Sequence, residues 1–596
     1  MEGPGGVRRR VALAPTTGGA FEGTVPHAGQ GDRYRYRIDD HEPMPDPASR
    51  AQPEGVHGAS EIVDPGSFPW SDEEWAGIPL ESLVLYELHV GTFTPKGTFA
   101  AAADRLESLR DLGATAVELM PLADFPGSHN WGYDGAALFA PARCYGTPDD
   151  LRRFVDRAHQ YGLAVHLDIV FNHLGPDGAY LAAFAPSVFS ETHRSPWGAG
   201  INLDGPGSDG VRAFFLECAL HWIHEYHLDG LRIDATHALV DDGPRHFLAE
   251  LSDRVRETTD GRAVLLVAED ARNLEVTVRA TDQGGWGMDA VWSDDFHHLM
   301  RRILAGDHEG YFVDYADRVE DLAATLNQGW FFTGQFASYF NGPRGTDPAG
   351  IPAPRFVLCI QNHDQIGNRA QGDRLHHAIP PPAYRAASAV LLCAPQTPLL
   401  FMGQEWACSS PFQFFTDHAG ELGELVRTGR AREFERFPSF AEAAARARVP
   451  DPQAAETFAR SRLQWAERER APHQHVLQLY TDLLERRRTE PALSCTAGSQ
   501  CIARALDAHT LLLLRRAPEG QDVLLLARLR GSGNVTLTIE DVGVGTEPWE
   551  VILDTEDPRY APDPRPIDVT GVPGAAQIRF SRPGAIMLRR DAGGAA

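Results

Sequence analysis

The sequence predicts an α/β protein: a (β/α)8 barrel, preceded by a short β region and followed by an antiparallel β-domain. Three observations carry this. From about residue 83 an apolar run, a polar cluster and an amphipathic stretch recur in that order. Eight such runs occur before residue 410. From about residue 495 the rhythm gives way to short strands between Gly/Pro turns. Alternating strand and helix implies parallel strands with right-handed crossovers, and eight units imply closure rather than an open doubly wound sheet.

Residues 1–60 contain RYRYRID, a strand-like alternation, and then the Pro-rich HEPMPDPASRAQPEG. The barrel region, 61–490, holds the apolar runs LVLYELHVG (83–91), ATAVELMPL (114–122), AVHLDIVFNH (164–173) and GLRIDAT (230–236). AVLLVAED (263–270), DAVWSDD (289–295), RFVLCIQNHD (355–364) and PLLFMGQE (398–405) complete the set. Runs this apolar fit strands buried on both faces. Between them, 99–113 places Ala102, Leu106 and Leu109 on one helical face. The stretch 147–162 opens with Thr147, Pro148 and two acids and closes with Gly162, good start and stop signals. Segments 210–230 and 383–394 read as helices too. The long connection 174–210 has room for a small subdomain. Residues 491–596 carry TLLLLRRA, DVLLLARL, NVTLTIEDV and AIMLRR, which predict an antiparallel β-sandwich. Low-complexity stretches are minor: EAAARARV and the tail DAGGAA.

The bulk numbers exclude several classes. A net charge of −27 argues against nucleic acid or an anionic membrane as partner. No run of about 18 apolar residues exists to span a bilayer, and no apolar leader segment opens the chain. Seven cysteines, at 144, 218, 359, 393, 408, 495 and 501, form no CxxC pair, which fits reduced thiols and a cytoplasmic location rather than a metal site.

In a (β/α)8 barrel the active site lies at the C-terminal ends of the strands. Those ends carry Asp168, Asn172 and His173 on the third run, Arg232 and Asp234 on the fourth, and Glu269 and Asp270 on the fifth. Asp294 and Asp295 end the sixth, His363 and Asp364 the seventh, and Gln404 and Glu405 the eighth. Arg232 and Asp234, two apart on a strand, share a face, so the arginine favours an ionised Asp234 suited to nucleophilic attack. Glu269 closes an apolar run beside other carboxylates, which raises its pKa and suits a general acid. An ionised carboxylate opposite a protonated acid is the equipment for cleaving a glycosidic bond.

DIVFNH (168–173), GLRIDATHAL (230–239), LLVAED (265–270) and QNHDQ (361–365) resemble, in order and spacing, the signature regions of the alpha-amylase family, glycoside hydrolase family 13. The resemblance covers about residues 80–490. It implies Asp234 as nucleophile, Glu269 as general acid/base and Asp364 as a third carboxylate that binds sugar hydroxyls and stabilises the transition state. It implies that Arg232 orients Asp234, that His173 and His363 bond the reacting sugar, and that Tyr133 of NWGYDG stacks on that ring. His237, Gln365 and Asn368 join the substrate-binding set.

Further segments, among them WSDDFHH (292–298), PFQFFTDHAGELG (411–423) and DPASRAQPEGVHG (46–58), are similar to one branch of that family. This branch releases trehalose by cleaving the α-1,4 bond next to the terminal trehalose unit of maltooligosyltrehalose. The resemblance adds Asp294, Asp295, His297 and His298 as substrate-contacting positions, and Phe412, Phe414, Phe415 and Asp417 as candidates for the trehalose-facing surface. It implies a retaining hydrolase of trehalose biosynthesis, with maltooligosyltrehalose and trehalose as ligands; that chemistry needs no cofactor or metal, and a monomer is the expectation, though the residues do not fix the oligomeric state. It makes residues 1–60 the remnant of a carbohydrate-binding-module-like β-sandwich. The alternative is a branching or debranching enzyme of the same family.

Overall fold

A computed structural model describes residue 1 and residues 9–259, 261–437, 448–494, 500–518, 521–538, 549–572 and 575–590. Residues 442–447 of the low-complexity stretch, the tail DAGGAA and Cys495 lie outside these. Eight parallel strands close a barrel in chain order. They are β1 (Leu85–Leu88), β2 (Ala116–Leu119), β3 (Ala164–Ile169), β4 (Gly230–Ile233), β5 (Leu265–Ala268), β6 (Ala290–Trp292), β7 (Phe356–Leu358) and β8 (Thr397–Phe401). Each predicted run supplies one of them. β8 pairs with β1 through Leu399↔Leu85, Leu400↔Tyr86 and Phe401↔Glu87, which closes the ring.

Side chains alternate across each strand, so every strand has an inner and an outer row. The inner rows begin apolar: Leu85, Ala116, Ala164, Val267, Val357 and Leu399 share one buried cluster. Higher up, the same rows turn polar, with Glu87, Glu118, His166, Asp168 and Arg232 all buried. The outer rows pack on the helices. Among these are α1 (Phe99–Ala103), α2 (Leu106–Leu112), α3 (Pro148–Gln160), α4 (Ser208–Glu225), α5 (Phe247–Thr258), α6 (Asp294–Ala305), α7 (Val319–Gln328), α8 (Pro381–Cys393) and α9 (His473–Thr489).

Local sequence explains the ends. Thr147 and Asp150 exchange side-chain and backbone bonds in a capping box at the start of α3, with Pro148 in its first turn. The single helix expected over 99–113 is instead two. The buried face passes from Ala102 and Ala103 to Leu106, Leu109 and Leu112 across the break at Asp104 and Arg105. Arg105 there lies over the Trp465 ring at 4.4 Å. The connection after β3 contains a hairpin, Phe189–Ser195 against Gly198–Ile201. Residues before the barrel carry two short strand pairs, Ala14–Pro15 with Phe21–Glu22 and Arg33–Tyr34 with Ser60–Glu61.

The C-terminal region is antiparallel throughout. β9 (Gln500–Asp507), β10 (Thr510–Arg516), β11 (Asp522–Arg528), β16 (Gly584–Arg590) and β13 (Glu550–Asp554) form a five-stranded sheet in that order. β12 (Gly533–Thr538), β15 (Ala575–Phe580) and β14 (Asp568–Val572) form a second sheet. Leu512, Leu514, Leu524 and Leu526 face Val535 and Ile578 across the sandwich. Leu511, Leu513 and Leu525 point the other way and join the barrel's core. Burial on both faces is why TLLLL carries no polar alternation. Arg385 of α8 reaches Glu556 with Nη2 at 2.7 and 2.9 Å, and both side chains are buried. Among the described residues no helix is long and apolar enough to cross a membrane, and Cys144, Cys218, Cys359, Cys393 and Cys408 are free thiols.

Candidate active site

One buried cation organises the mouth of the barrel. Arg232, on the inner row of β4, is fully buried. Its Nη1 donates to both oxygens of Asp168 at 2.8 Å and to Asp234 Oδ1 at 2.7 Å. Its Nη2 lies 3.4 Å from Glu269 Oε2. The guanidinium sits 4.3 Å from the centre of the Trp292 ring, an arginine–aromatic contact that fixes its plane. Three carboxylates on β3, just past β4 and just past β5 therefore converge on one fork.

Asp234 and Glu269 are held differently. Asp234 Oδ2 accepts from Asn172 Nδ2 at 2.7 Å, so both of its oxygens are acceptors. Asn172 also donates to the Asp234 carbonyl at 3.0 Å, locking the chain beside it. The next residue, Ala235, has φ 42°, the left-handed region that an alanine rarely adopts. Its N–H donates to Glu269 Oε2, 2.6 Å away. Oε2 is thus an acceptor, which leaves Oε1 to carry a proton. Burial raises the Glu269 pKa to about 8; Arg232 opposes the rise and Asp234, Asp364 and Asp294 add to it. The arrangement pairs a carboxylate acceptor with an acid protonated at neutral pH.

β7 ends at Leu358, and beyond Cys359 and Ile360 the polar cluster opens a short helix, His363–Gly367, capped by the Asn362 side chain on the Gln365 N–H. Gly367 must be glycine, because a Cβ there would lie 2.0 Å from the Trp131 ring. Asp364 is part-exposed, accepts from Asn368 Nδ2 at 3.1 Å and lies 3.5 Å from His363 Nε2. Gln365 Nε2 is 3.4 Å from Asp294 Oδ1. Burial raises the Asp294 pKa to about 6; Arg344 opposes this, and Asp364 and Asp295 add to it. Tyr133 is brought in by Gly132, which has φ 108° and where a Cβ would lie 2.2 Å from the Pro121 carbonyl oxygen, so no side chain fits. Its hydroxyl donates to Asp168 Oδ2 at 2.5 Å and meets His363 Nε2 at 2.6 Å, and its ring stacks on His363. His173 bonds Asn172 through Nδ1 and the Tyr133 carbonyl through Nε2. His237 is half-buried, and its Nδ1 has no hydrogen-bond partner.

Other expected site residues are drawn into the wall. Both Asp295 oxygens are taken, by Tyr315 at 2.5 Å, Asn273 at 2.7 Å and the Phe331 N–H at 2.6 Å, with Arg344 at 3.0 Å. Asp294 and Asp295 open α6, and neighbours on a helix point about 100° apart, so one cavity cannot take both. His297 and His298, deeper in α6, are buried, and burial holds both imidazoles below their usual pKa. Phe412 and Phe415 pack against His89 and Trp131 in the core, and Asp417 binds Ser128. They provide no open trehalose-facing surface. Asp270 is spent on Arg272 and Thr236, Gln404 on Tyr480, and Glu405 on Tyr86.

Two exposed aromatic features escaped the sequence reading. Trp197, at the tip of the hairpin after β3, is 52% exposed and stacks on His173 at 5.2 Å and 17°. Tyr339 and Phe340, on a loop after α7, are exposed, and Tyr339 meets Tyr311, whose hydroxyl reaches Gln365 Oε1 at 3.4 Å. Only the spacing between strand runs hinted at such excursions. Among the described residues, one group, His193, Asp204 and Asp242, brings metal-ligand atoms within 4.8 Å, and none of the site residues above belongs to it.

A family model described as the alpha amylase catalytic domain matches residues 62–195. A malto-oligosyltrehalose trehalohydrolase of Deinococcus radiodurans is 48% identical over 90% of this chain and 87% of its own length. One from Rhizobium sp. is 43% identical over 82% of this chain and 83% of its own. A 1,4-alpha-glucan branching enzyme of Nocardia farcinica is 31% identical over 65% of this chain and 54% of its own. A crystal structure of a putative alpha amylase from Salmonella typhimurium superposes with TM-score 0.85 at 38% identity, covering 97% and 94% of the two chains.

Proposed function

Because the chain belongs to the malto-oligosyltrehalose trehalohydrolase family, within the alpha-amylase class, we propose that it cleaves the α-1,4 bond adjacent to the trehalose end of maltooligosyltrehalose. Trehalose and a shortened maltooligosaccharide are the products. The observation that carries this mechanism is the shared guanidinium. Arg232 touches Asp234 and Glu269 at once, one carboxyl with both oxygens accepting and the other held protonated.

In the reaction, Glu269 gives the Oε1 proton to the leaving O4 of trehalose while Asp234 attacks the anomeric carbon from the opposite face. The C–O4 bond breaks as the Asp234–carbon bond forms, giving a β-glucosyl ester. Glu269, now ionised, takes a proton from water, whose oxygen displaces Asp234 with overall retention. Carboxyls that share one guanidinium fit the close spacing, about 5–5.5 Å, of retaining enzymes rather than the wider gap of inverting ones. Asp364 offers negative charge to the oxocarbenium-like transition state. Tyr133 and His173 line the reacting sugar, while His363, fully buried with both nitrogens bonded, stands behind Tyr133 rather than against the sugar; Asp294, Gln365 and Asn368 extend the polar wall and His237 flanks Asp234. Trp197 on one side and Tyr339 with Phe340 on the other offer stacking faces for neighbouring rings. Free, buried thiols suit work in the cytoplasm.

The test is a product assay on a maltooligosaccharide capped by an α,α-1,1-linked glucose. Stoichiometric release of trehalose supports the reading. Turnover that instead adds or removes α-1,6 branches in a glucan, with no trehalose formed, replaces it with a branching or debranching activity.

A further inference from the structure

Beneath the mouth, the barrel interior carries a second pair of acids. Glu87 on β1 and Glu118 on β2 are register partners, both about as buried as a side chain can be. Their surroundings differ. Glu87 is bonded twice to one residue: Oε2 accepts the His363 N–H at 3.0 Å, and Oε1 takes Nδ1 of the same ring. Neither oxygen of Glu118 has a hydrogen-bond partner. Burial pushes its carboxyl well above the usual range, with Glu87 and Asp168 adding to the push. Burial without a partner therefore favours the neutral form of Glu118.

Hydrogen-bond accounting fixes the state of His363. The Tyr133 hydroxyl spends its hydrogen on Asp168 Oδ2, so it offers only a lone pair to His363 Nε2, 2.6 Å away. Nε2 must carry a hydrogen to bond it. The Glu87 carboxylate likewise needs a hydrogen on Nδ1. Both nitrogens are then protonated, and the ring is an imidazolium inside the barrel. The charged and titratable groups facing it are Glu87 on β1, His89 just past β1, Glu118 on β2, Tyr133 after β2, Asp168 on β3, Arg232 on β4, and Asp364 beside it.

We propose that Glu87 is a positioning residue, which from the first strand holds His363 doubly protonated and so places a cation 3.5 Å from Asp364 at the mouth of the barrel. Glu87 touches no substrate and acts only through the ring. Burial opposes the imidazolium, but Glu87 and Asp364 outweigh it and lift His363 to about 9. The inference rests on the reading of Asp364 as the carboxylate that faces the transition state.

Two variants make the same chemical change on adjacent strands. Glu87→Gln should lower kcat/KM about 10- to 100-fold, the scale of losing a hydrogen bond between charged groups, chiefly through kcat. Its alkaline limb should move to lower pH, because His363 then needs more acid to be charged. Glu118→Gln should stay within about threefold of the parent with an unmoved limb, since its carboxyl already favours the neutral form. Direct evidence comes from nitrogen-15 spectra of histidine-labelled full-length protein, the His363 signals being identified by their loss in His363→Gln. Both nitrogens should read as protonated at pH 7. A neutral ring at pH 7 overturns the proposal whether or not Glu87→Gln folds. So does a folded Glu87→Gln protein with parental kcat/KM and limb. A charged ring in a protein that releases no trehalose would instead count against the proposed activity alone.

Discussion

Replacing Glu269 by glutamine removes the proposed acid/base while keeping the shape of the side chain and its bond from the Ala235 N–H. The size of the effect follows from the proton. At about 8, the Glu269 carboxyl is roughly nine-tenths protonated at pH 7, against under roughly one-hundredth at its ordinary value of 4.5. Nearly all of the general-acid contribution is therefore in place in the parent and lost in the variant, a fall of about 10²–10⁴-fold in kcat/KM. The pH profile is the sharper readout. The kcat/KM of the parent should decline above pH 8, because kcat/KM reports the free enzyme and the acid is lost as pH rises through its folded pKa. In Glu269→Gln the limb near 8 should vanish, leaving only the decline that follows loss of the His363 charge near 9. The assay is the initial rate of trehalose release from a capped maltooligosaccharide between pH 5 and 10. A glycosyl fluoride, whose leaving group needs no proton, should still load Asp234 in the variant. Glu269→Gln protein that keeps a tenth of parental activity, or retains the limb near 8, refutes the assignment.

Trp197→Ala should raise KM about two- to tenfold with kcat little changed, the worth of one aromatic stacking contact; an unchanged KM removes the hairpin tip from the binding surface. Arg385→Ala leaves the buried Glu556 with Arg582 as its remaining cation and should cost about 1.5–3 kcal/mol in denaturant unfolding. Asp72 is bonded by His159 at 2.7 Å and His227 at 2.9 Å. Burial works against its charge, but the two histidines win and hold its pKa at about 2. Because the folded value lies below the unfolded 3.8, this stabilisation is complete above pH 4 and is lost as pH falls toward 2. Asp72→Asn should flatten the acid side of a plot of melting temperature against pH.

The barrel was legible because its strands obey one rule, an apolar run ending in a polar cluster, and because every run is buried on both faces. The convergence of Asp234, Glu269 and Asp364 followed from that rule plus the direction of the strands. What the rule could not supply was rotation. DDFHH looks like one more strand end, yet the strand stops at Trp292 and a helix begins at Asp294. Residues that sit side by side in the text then point to different neighbours, which is how Asp295 and His297 left the cavity. Phe412 and Phe415 carry no mark that separates a core phenylalanine from a sugar platform; only the Trp131 and His89 rings packed on them decide. Trp197 is the converse, an exposed ring whose importance comes from a hairpin fold-back that no periodicity announces.

The seam between β8 and β1 has a consequence for synthesis. Glu87, bonded to His363, gains its last strand neighbour only when Phe401 arrives, and the hydroxyl of the adjacent Tyr86, on the outer row, bonds Gly403 and Glu405. A ribosome adding roughly 5–20 residues per second spends on the order of 15–60 s between the two edges of that seam. Until then the first strand has an unpaired apolar flank, and nascent protein needs sheltering. A chain cut short anywhere in that interval leaves the sheet open, with Leu85, Tyr86 and Glu87 lacking their partners on β8.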